Sequence, residues 1–336
     1  MSVGFIGGKY LPLHQGHVFA IMKASSMVDK LYVVLSSSEK RDSKLCFDNN
    51  IKYANAEIRL SWLGELVHDL ENIEIIHIVD NYGVFDYEWK SGCKAVKKAI
   101  KEDIDYVFSS EQGYDDIFKT YYPRSKHIVI DDNRCEVPIS ATEIRENLYK
   151  HWDKIPSYVR SFYVKKVAVV GTKSCGKSTL VKKLAKSYNT NYCLEVGRNY
   201  CEKYSNHLTP EMFNKIAMEH YILQEKLINE SNKILFVDSE VVITRYYLRM
   251  YLKGIHDERL LTAISNLQNY DLVLYLEPDV EWVDDGTRFA AENRLENNIV
   301  LKKMYGATCQ GYFSIDGNYN KRFDSARKFV NEFLKN

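Results

Sequence analysis

Two stretches of this chain combine glycines with side chains that handle phosphate. One is Val167-Ala-Val-Val-Gly171-Thr-Lys173-Ser174-Cys-Gly176-Lys177-Ser178-Thr179, an apolar strand running into Gly-x-x-x-x-Gly-Lys-Ser at the head of a helix. That context marks the spacing as a phosphate-binding P-loop. Main-chain N–H groups between Gly171 and Thr179, with Lys173, Ser174 and Gly176 among them, wrap the phosphates of ATP. Lys177 bridges the β- and γ-phosphates, and the hydroxyl of Ser178 binds Mg²⁺. From average composition, a chance match in a chain of this length is on the order of one per cent. Asp238 closes the apolar run Ile234-Leu-Phe-Val237 and suits a second Mg²⁺ ligand, direct or through water. Phosphoryl transfer from ATP is the chemistry this set implies.

The other stretch lies at the amino terminus: Gly7-Gly8-Lys9-Tyr10-Leu11-Pro12-Leu13-His14-Gln15-Gly16-His17. Gly7 and Gly8 directly follow a strand, so a tight turn can bring N–H groups and Lys9 close to a phosphate. His14 and His17 flank Gly16 where a helix begins. Two imidazoles converging with a helix amino terminus make an anion site. Neither histidine needs to be a base. Attack by a phosphate oxygen on the α-phosphate of ATP requires charge stabilisation on the pentavalent centre and the departing pyrophosphate, which hydrogen-bond donors supply. Further on, Ile139-Ser140-Ala141-Thr142-Glu143-Ile144-Arg145 reads as a helix start with Ser140 or Thr142 at its N-cap. Arg145, in the first turn, would hold the ATP tail by charge-assisted hydrogen bonds.

The second half offers further candidates. Glu195 and Arg198 follow a strand and suit binding and alignment of an acceptor hydroxyl, and Glu240, beside Asp238, is a further substrate-binding candidate. In Glu281-Trp-Val-Asp-Asp-Gly286-Thr-Arg288, the glycine is a hinge and Arg288 a lid arginine closing over phosphates.

The elements that must position these groups alternate. Val3–Ile6, Leu31–Leu35, Ile73–Val79, Tyr106–Phe108 and His127–Ile130 are short apolar runs separated by helical patterns at Gly16–Met27, Tyr53–Leu70 and Gly92–Ile100. Such alternation means a mostly parallel sheet with helices on both faces, and ligands beyond the carboxyl ends of its strands. Residues 151–163 lack clean periodicity and contain Pro156, which places a junction there. The pattern restarts with strands Lys165–Val170, Tyr192–Val196, Ile234–Val237 and Leu272–Leu276 and helices Pro210–Glu230, Val241–Lys253 and Lys321–Leu334. The expected fold is α/β: two doubly wound parallel-sheet domains, a Rossmann-like nucleotidyltransferase over 1–155 and a P-loop kinase over 160–336.

Composition narrows the partners. Lys and Arg number 46 against 45 Asp and Glu, a balance that argues against a nucleic-acid-binding surface. No apolar run is long enough to span a membrane, and the amino terminus runs straight into a strand with no secretory pattern. Seven cysteines without a Cys-x-x-Cys pair fit a reducing, cytoplasmic setting and no zinc site. A homo-oligomer is left open.

The amino-terminal half resembles the nucleotidyltransferases that carry His-x-Gly-His and a distal Ile-Ser-x-Thr-x-x-Arg. Gly8–His14, Arg59-Leu-Ser-Trp-Leu63, Trp89, Ser109-Ser-Glu111 and Ile139–Asn147 narrow the resemblance to the nicotinamide-mononucleotide adenylyltransferase domain of the bifunctional NadR type. In the second half Glu195-x-Gly-Arg198, the Phe-Val-Asp strand end and the Glu281–Arg288 run continue it. The resemblance implies phosphorylation of nicotinamide riboside by ATP in the carboxy-terminal domain. Adenylyl transfer from a second ATP to nicotinamide mononucleotide would follow in the amino-terminal domain, giving NAD and pyrophosphate. It also implies that Trp89 stacks on the nicotinamide ring. Some members carry a helix-turn-helix regulator ahead of the transferase, and this chain is expected to lack it.

Two departures bear on the acceptor of the kinase half. The family commonly has aromatics around the Glu-x-Gly-Arg glutamate where this chain has Leu194 and Val196, and Arg288 leads into Phe289-Ala-Ala291. A missing platform would forfeit roughly 1–2 kcal/mol of cation–π contact to a pyridinium. A kinase half acting on another nucleoside, or a pyridine-nucleotide sensor with a degraded kinase site, therefore stand as alternatives.

Overall fold

In the computed structural model, residues 1–80, 89–252, 254, 256–281, 293–308 and 311–335 are described. The chain divides into two compact units, Met1–Phe162 and Tyr163–Asn336.

The first unit is built on β1 (Val3–Gly8), β2 (Lys30–Ser37), β3 (Ile73–Val79), β4 (Tyr106–Ser109) and β5 (Lys126–Val129), all parallel in the order β3-β2-β1-β4-β5. The run Leu31–Leu35 is buried throughout, as a central parallel strand covered on both faces must be. Edge strand β3 instead mixes half-buried and exposed positions. Val3, Phe5, Tyr32, Val34 and Val107 project to one face, where they pack with Cys93, Val96, Phe118 and Tyr122. Helices Gln15–Ser25 and Ala56–Val67 pack on the strands as well. The strand order reverses at β1, flanked by β2 and β4, and a crevice beyond its carboxyl end follows.

The second unit repeats the scheme with β6 (Lys165–Val170), β7 (Tyr192–Cys193), β8 (Ile234–Asp238), β9 (Leu272–Leu276) and β10 (Phe313–Ile315), parallel in the order β10-β9-β6-β8-β7. Every residue of β8 and β9 is buried, while β7 and β10 are short and lie at the edges. Helices Lys177–Tyr188 and Tyr319–Lys335 close one face through Leu180, Leu184, Ala326 and Val330. Helices Pro210–Ile228, Val241–Tyr251 and Arg259–Leu267 pack together around Phe213, Leu248 and Leu261.

All the expected strands are present, and the fold class is the expected one. Helices Glu39–Asp48, Asp115–Tyr121, Gly197–Lys203, Arg259–Leu267 and Arg294–Gly306 and strand β10 come in addition. The stretch read as a junction is itself folded: it holds the short turn Trp152–Lys154 and helix Ser157–Tyr163, with Trp152, Ile155 and Val159 buried. A seven-residue helix is too short to display a period. Among the described residues no helix is long and apolar enough to cross a membrane.

Candidate active sites

In the first unit, a cavity of about 290 Å³ is lined by segments that follow β1, β4 and β5. Its floor is the loop Lys9–Leu13, whose Tyr10, Leu11 and Leu13 are buried. The turn differs from the expected one. Gly7 and Gly8 remain in the strand, paired with Val34 and Leu35, and the left-handed residue is Tyr10 at φ 48°. Gly8 is needed for space: a Cβ there would come within 3.0 Å of the Tyr10 ring.

Two arginines hold this loop. Arg59, fully buried and paired with Asp42 at 2.9 Å, donates through Nη1 to Lys9 O at 2.9 Å. Arg145 donates through Nη1 to Leu11 O at 2.8 Å and through Nη2 to Thr142 Oγ1 at 2.9 Å. Arg145 therefore shapes the loop as well as lining the cavity.

His14 is the N-cap of helix Gln15–Ser25, its Nδ1 accepting from Gly16 N–H at 3.1 Å. An accepting Nδ1 places the proton of a neutral imidazole on Nε2. Burial, reinforced by Arg134 and Arg145, lowers the His14 pKa to about 3. Burial, with His14 and the same arginines behind it, also holds His17 well below the usual range. The two rings stack at 3.8 Å, and His17 Nδ1 is buried without a hydrogen-bond partner. Both imidazoles are thus neutral hydrogen-bonding groups at pH 7, and His14 is a donor through Nε2–H. Ser140, not Thr142, is the N-cap of helix Ala141–Glu146, in a capping box with Glu143. Ser140 and Thr142 both line the cavity.

Sequence reasoning passed over Arg134, which lines the same cavity and faces Glu111 at 3.5 Å. Its signal was positional: it lies in the loop after β5, on the rim where such sheets bind ligands. Trp89 packs against Tyr114 (5.0 Å between centroids) and Phe118 (5.8 Å). It is Tyr114 that lines the cavity, so Trp89 in this structure belongs to the aromatic core.

In the second unit, a cavity of about 420 Å³ surrounds the P-loop. Gly171 (φ 142°) and Gly176 (φ 87°) adopt backbone conformations that side chains resist. A Cβ on Gly171 would also meet Leu276 O at 2.6 Å. Lys177 is 7% exposed, and its Nζ donates to Thr172 O at 3.2 Å. Burial works against its charge, but Cys175, Glu195 and Asp238 outweigh it, leaving the ammonium pKa raised. Ser178 Oγ donates to Asp238 Oδ2 at the buried end of β8. These are hard oxygen donors of the kind Mg²⁺ takes beside nucleotide phosphates. Lys173, Ser174, Thr179, Glu195 and Arg198 line the cavity too. Glu195 is half-buried, and burial raises its pKa against the pull of Lys177.

Glu240 corrects the sequence reading. It caps helix Val241–Tyr251, Oε2 accepting from Val242 N–H at 2.8 Å, and Oε1 accepts from the Tyr305 hydroxyl. Buried and absent from the cavity lining, it does structural work. Arg288 lies outside the described residues. The aromatics missing beside Glu195 come from other elements: Phe213, Tyr247 and Tyr251 line the cavity from helices Pro210–Ile228 and Val241–Tyr251. Arg322 gave no sequence signal either. Almost fully buried, it donates to Cys175 O in the P-loop, Glu277 O after β9, Gly317 O and Asp279.

Comparison with known proteins bears on both units. Residues 5–147 match a Cytidylyltransferase-like family model, and residues 166–322 match an AAA domain model. The "Trifunctional NAD biosynthesis/regulator protein NadR" of Salmonella typhimurium is 28% identical over 99% of this chain and 83% of its own length. Its Escherichia coli counterpart matches to the same extent. A crystal structure of NadR protein in complex with NR superposes with a TM-score of 0.79 at 26% identity, covering 99% of this chain and 96% of that one. The chain is a homologue of NadR. The likeness runs through both cavities, so the pairing of a nucleotidyltransferase-like unit with a P-loop unit is inherited as a whole.

Proposed function

We propose that the chain is a bifunctional NAD-salvage enzyme, its carboxy-terminal domain (160–336) phosphorylating nicotinamide riboside with ATP. The amino-terminal domain (1–155) then transfers the adenylyl group of a second ATP to nicotinamide mononucleotide. What supports the reading is that NadR likeness spans 99% of the chain while each unit has a cavity lined by residues of its motif.

In the carboxy-terminal site, P-loop N–H groups and Lys177 hold the donor phosphates, and Glu195 and Arg198 orient the acceptor hydroxyl. Mg²⁺ would be held by Ser178, with Asp238 direct or through water, and when bound supplies charge neutralisation on the transferring phosphoryl group. Glu195, its pKa raised by burial, is placed to accept a hydroxyl proton. Phe213, Tyr247 and Tyr251 supply faces on which a pyridinium ring can stack. In the amino-terminal site, His14 and His17 act as neutral donors to the pentavalent α-phosphate and the leaving pyrophosphate, with Arg134 and Arg145 adding positive charge. Positioning and preorganised electrostatics do most of the work in both steps. The cytoplasm, with its ATP and reduced thiols, is the compartment this reading takes.

Incubation with nicotinamide mononucleotide, ATP and Mg²⁺ should yield NAD and pyrophosphate, resolved by chromatography. Riboside in place of the mononucleotide should yield NAD through a mononucleotide intermediate. No NAD in the first reaction would sink the transferase assignment. Leu194 and Val196 favour one competing reading, a different nucleoside acceptor. Competition among nucleosides in an ADP-release assay decides it, because the true acceptor must suppress phosphorylation of the others.

A further inference from the structure

The P-loop cavity carries an aromatic ring that phosphate handling leaves unused. Tyr319 opens helix Tyr319–Lys335, lines the cavity and is 49% exposed. Its ring lies against the P-loop: a Cβ built on Gly176 would come within 2.9 Å of Tyr319 Cε1. Glycine at 176 therefore leaves room for this ring as well as for the turn.

The segment that carries the ring is anchored. Gly317, at φ 90°, donates its N–H to Asp279 Oδ2 at 2.6 Å. Arg322, one turn into the same helix, donates to Gly317 O at 2.6 Å, Glu277 O at 2.7 Å and Cys175 O at 2.5 Å. One buried guanidinium thus ties the P-loop, the end of β9 and the turn before Tyr319 into a single piece. The ring is presented to the cavity on a fixed mount.

Lys177 marks where the β- and γ-phosphates bind, so the nucleoside must extend from the α-phosphate toward the outer part of the cavity. There a flat base needs a flat apolar partner. We infer that Tyr319 is the stacking face for the base of the phosphoryl donor in the second unit. The inference rests on the kinase reading above. Stacking uses the π-face that every base has, so Tyr319 strengthens donor binding without choosing adenine over guanine.

The test compares full-length wild type, Tyr319→Ala and Tyr319→Phe in riboside phosphorylation. Tyr319→Ala should raise the KM for ATP, and for GTP where it is used, about ten-fold. The KM for riboside and kcat should stay within about two-fold, and Tyr319→Phe should behave as wild type. Inorganic tripolyphosphate, competing with ATP, should inhibit wild type and Tyr319→Ala equally, since it has no base. An unchanged KM for ATP overturns the inference. So does tripolyphosphate inhibition that weakens in step with ATP, which would mean that the ring shapes the loop instead. If wild type phosphorylates no riboside, the kinase reading fails separately. Calorimetry then decides on Tyr319, whose replacement by Ala must weaken one ATP-binding event about ten-fold, and two unchanged events overturn it.

Discussion

A buried imidazole is a poor base and a good directional donor, and this distinction governs His14 and His17. With its Nδ1 occupied by Gly16 N–H, His14 offers Nε2–H to an anion without gaining a charge. Adenylyl transfer should therefore show no ionisation near pH 6.5 that disappears in His14 or His17 variants; such an ionisation would make one of them an acid or base. The same burial links stability to pH. His14 titrates at about 3 when folded against an ordinary value of 6.5, so between those values the unfolded chain binds a proton that the folded chain does not. Stability contributed by this group is whole above pH 6.5 and falls as the pH drops, by about 2 kcal/mol at pH 5. Thermal melts of wild type and His14→Gln at pH 8 and pH 5 check it: the wild type should lose more on acidification. Equal losses would show that His14 is protonated in the folded protein.

At the scale of elements, helix Val241–Tyr251 begins on a carboxylate that burial has pushed up to about 7. The sign is opposite to that of His14. Between about 4.5 and 7 the folded state holds a proton that the unfolded state has lost, so stability falls as the pH rises through that window. Glu240→Gln keeps an oxygen for Val242 N–H and removes the cost of ionisation. Relative to wild type, it should gain about 2 kcal/mol on going from pH 5 to pH 8, read from denaturant melts at both values. A constant difference would mean that Glu240 ionises freely. Its misreading as a substrate group shows where sequence reasoning stops. A carboxylate beside Asp238 at a strand end is equally a ligand or a helix cap, and only burial beside Tyr305 decides. Strands β6, β8 and β9 were legible because parallel strands covered on both faces become unbroken apolar runs. Three-residue β10 has no period to read. The P-loop was legible because its glycines answer a local backbone demand, whereas Arg322, among the basic residues of an amphipathic helix, acts on partners up to 147 residues away. The aromatic wall escaped for the same reason: Phe213, Tyr247 and Tyr251 come from two helices and meet only in the folded unit.

For the whole molecule, each unit has its own sheet, core and cavity, and this makes the two steps separable. Lys177→Ala removes the charge proposed to bridge the donor phosphates in one unit and leaves the residues proposed for the other site unchanged. It should lower riboside phosphorylation by about 100- to 1000-fold while NAD synthesis from the mononucleotide continues. His17→Ala should do the reverse, leaving a protein that accumulates mononucleotide from riboside. Neither variant alone converts riboside to NAD at the wild-type rate. Mixed together they should, because the mononucleotide made by one can diffuse to the intact transferase of the other. The measurement is NAD formed from riboside and ATP by each variant and by the equimolar mixture. If each single variant lost both activities, the units would not be independent. If each kept its own activity but the mixture lagged far behind wild type at equal site concentration, the intermediate would be passing within one chain faster than through solution.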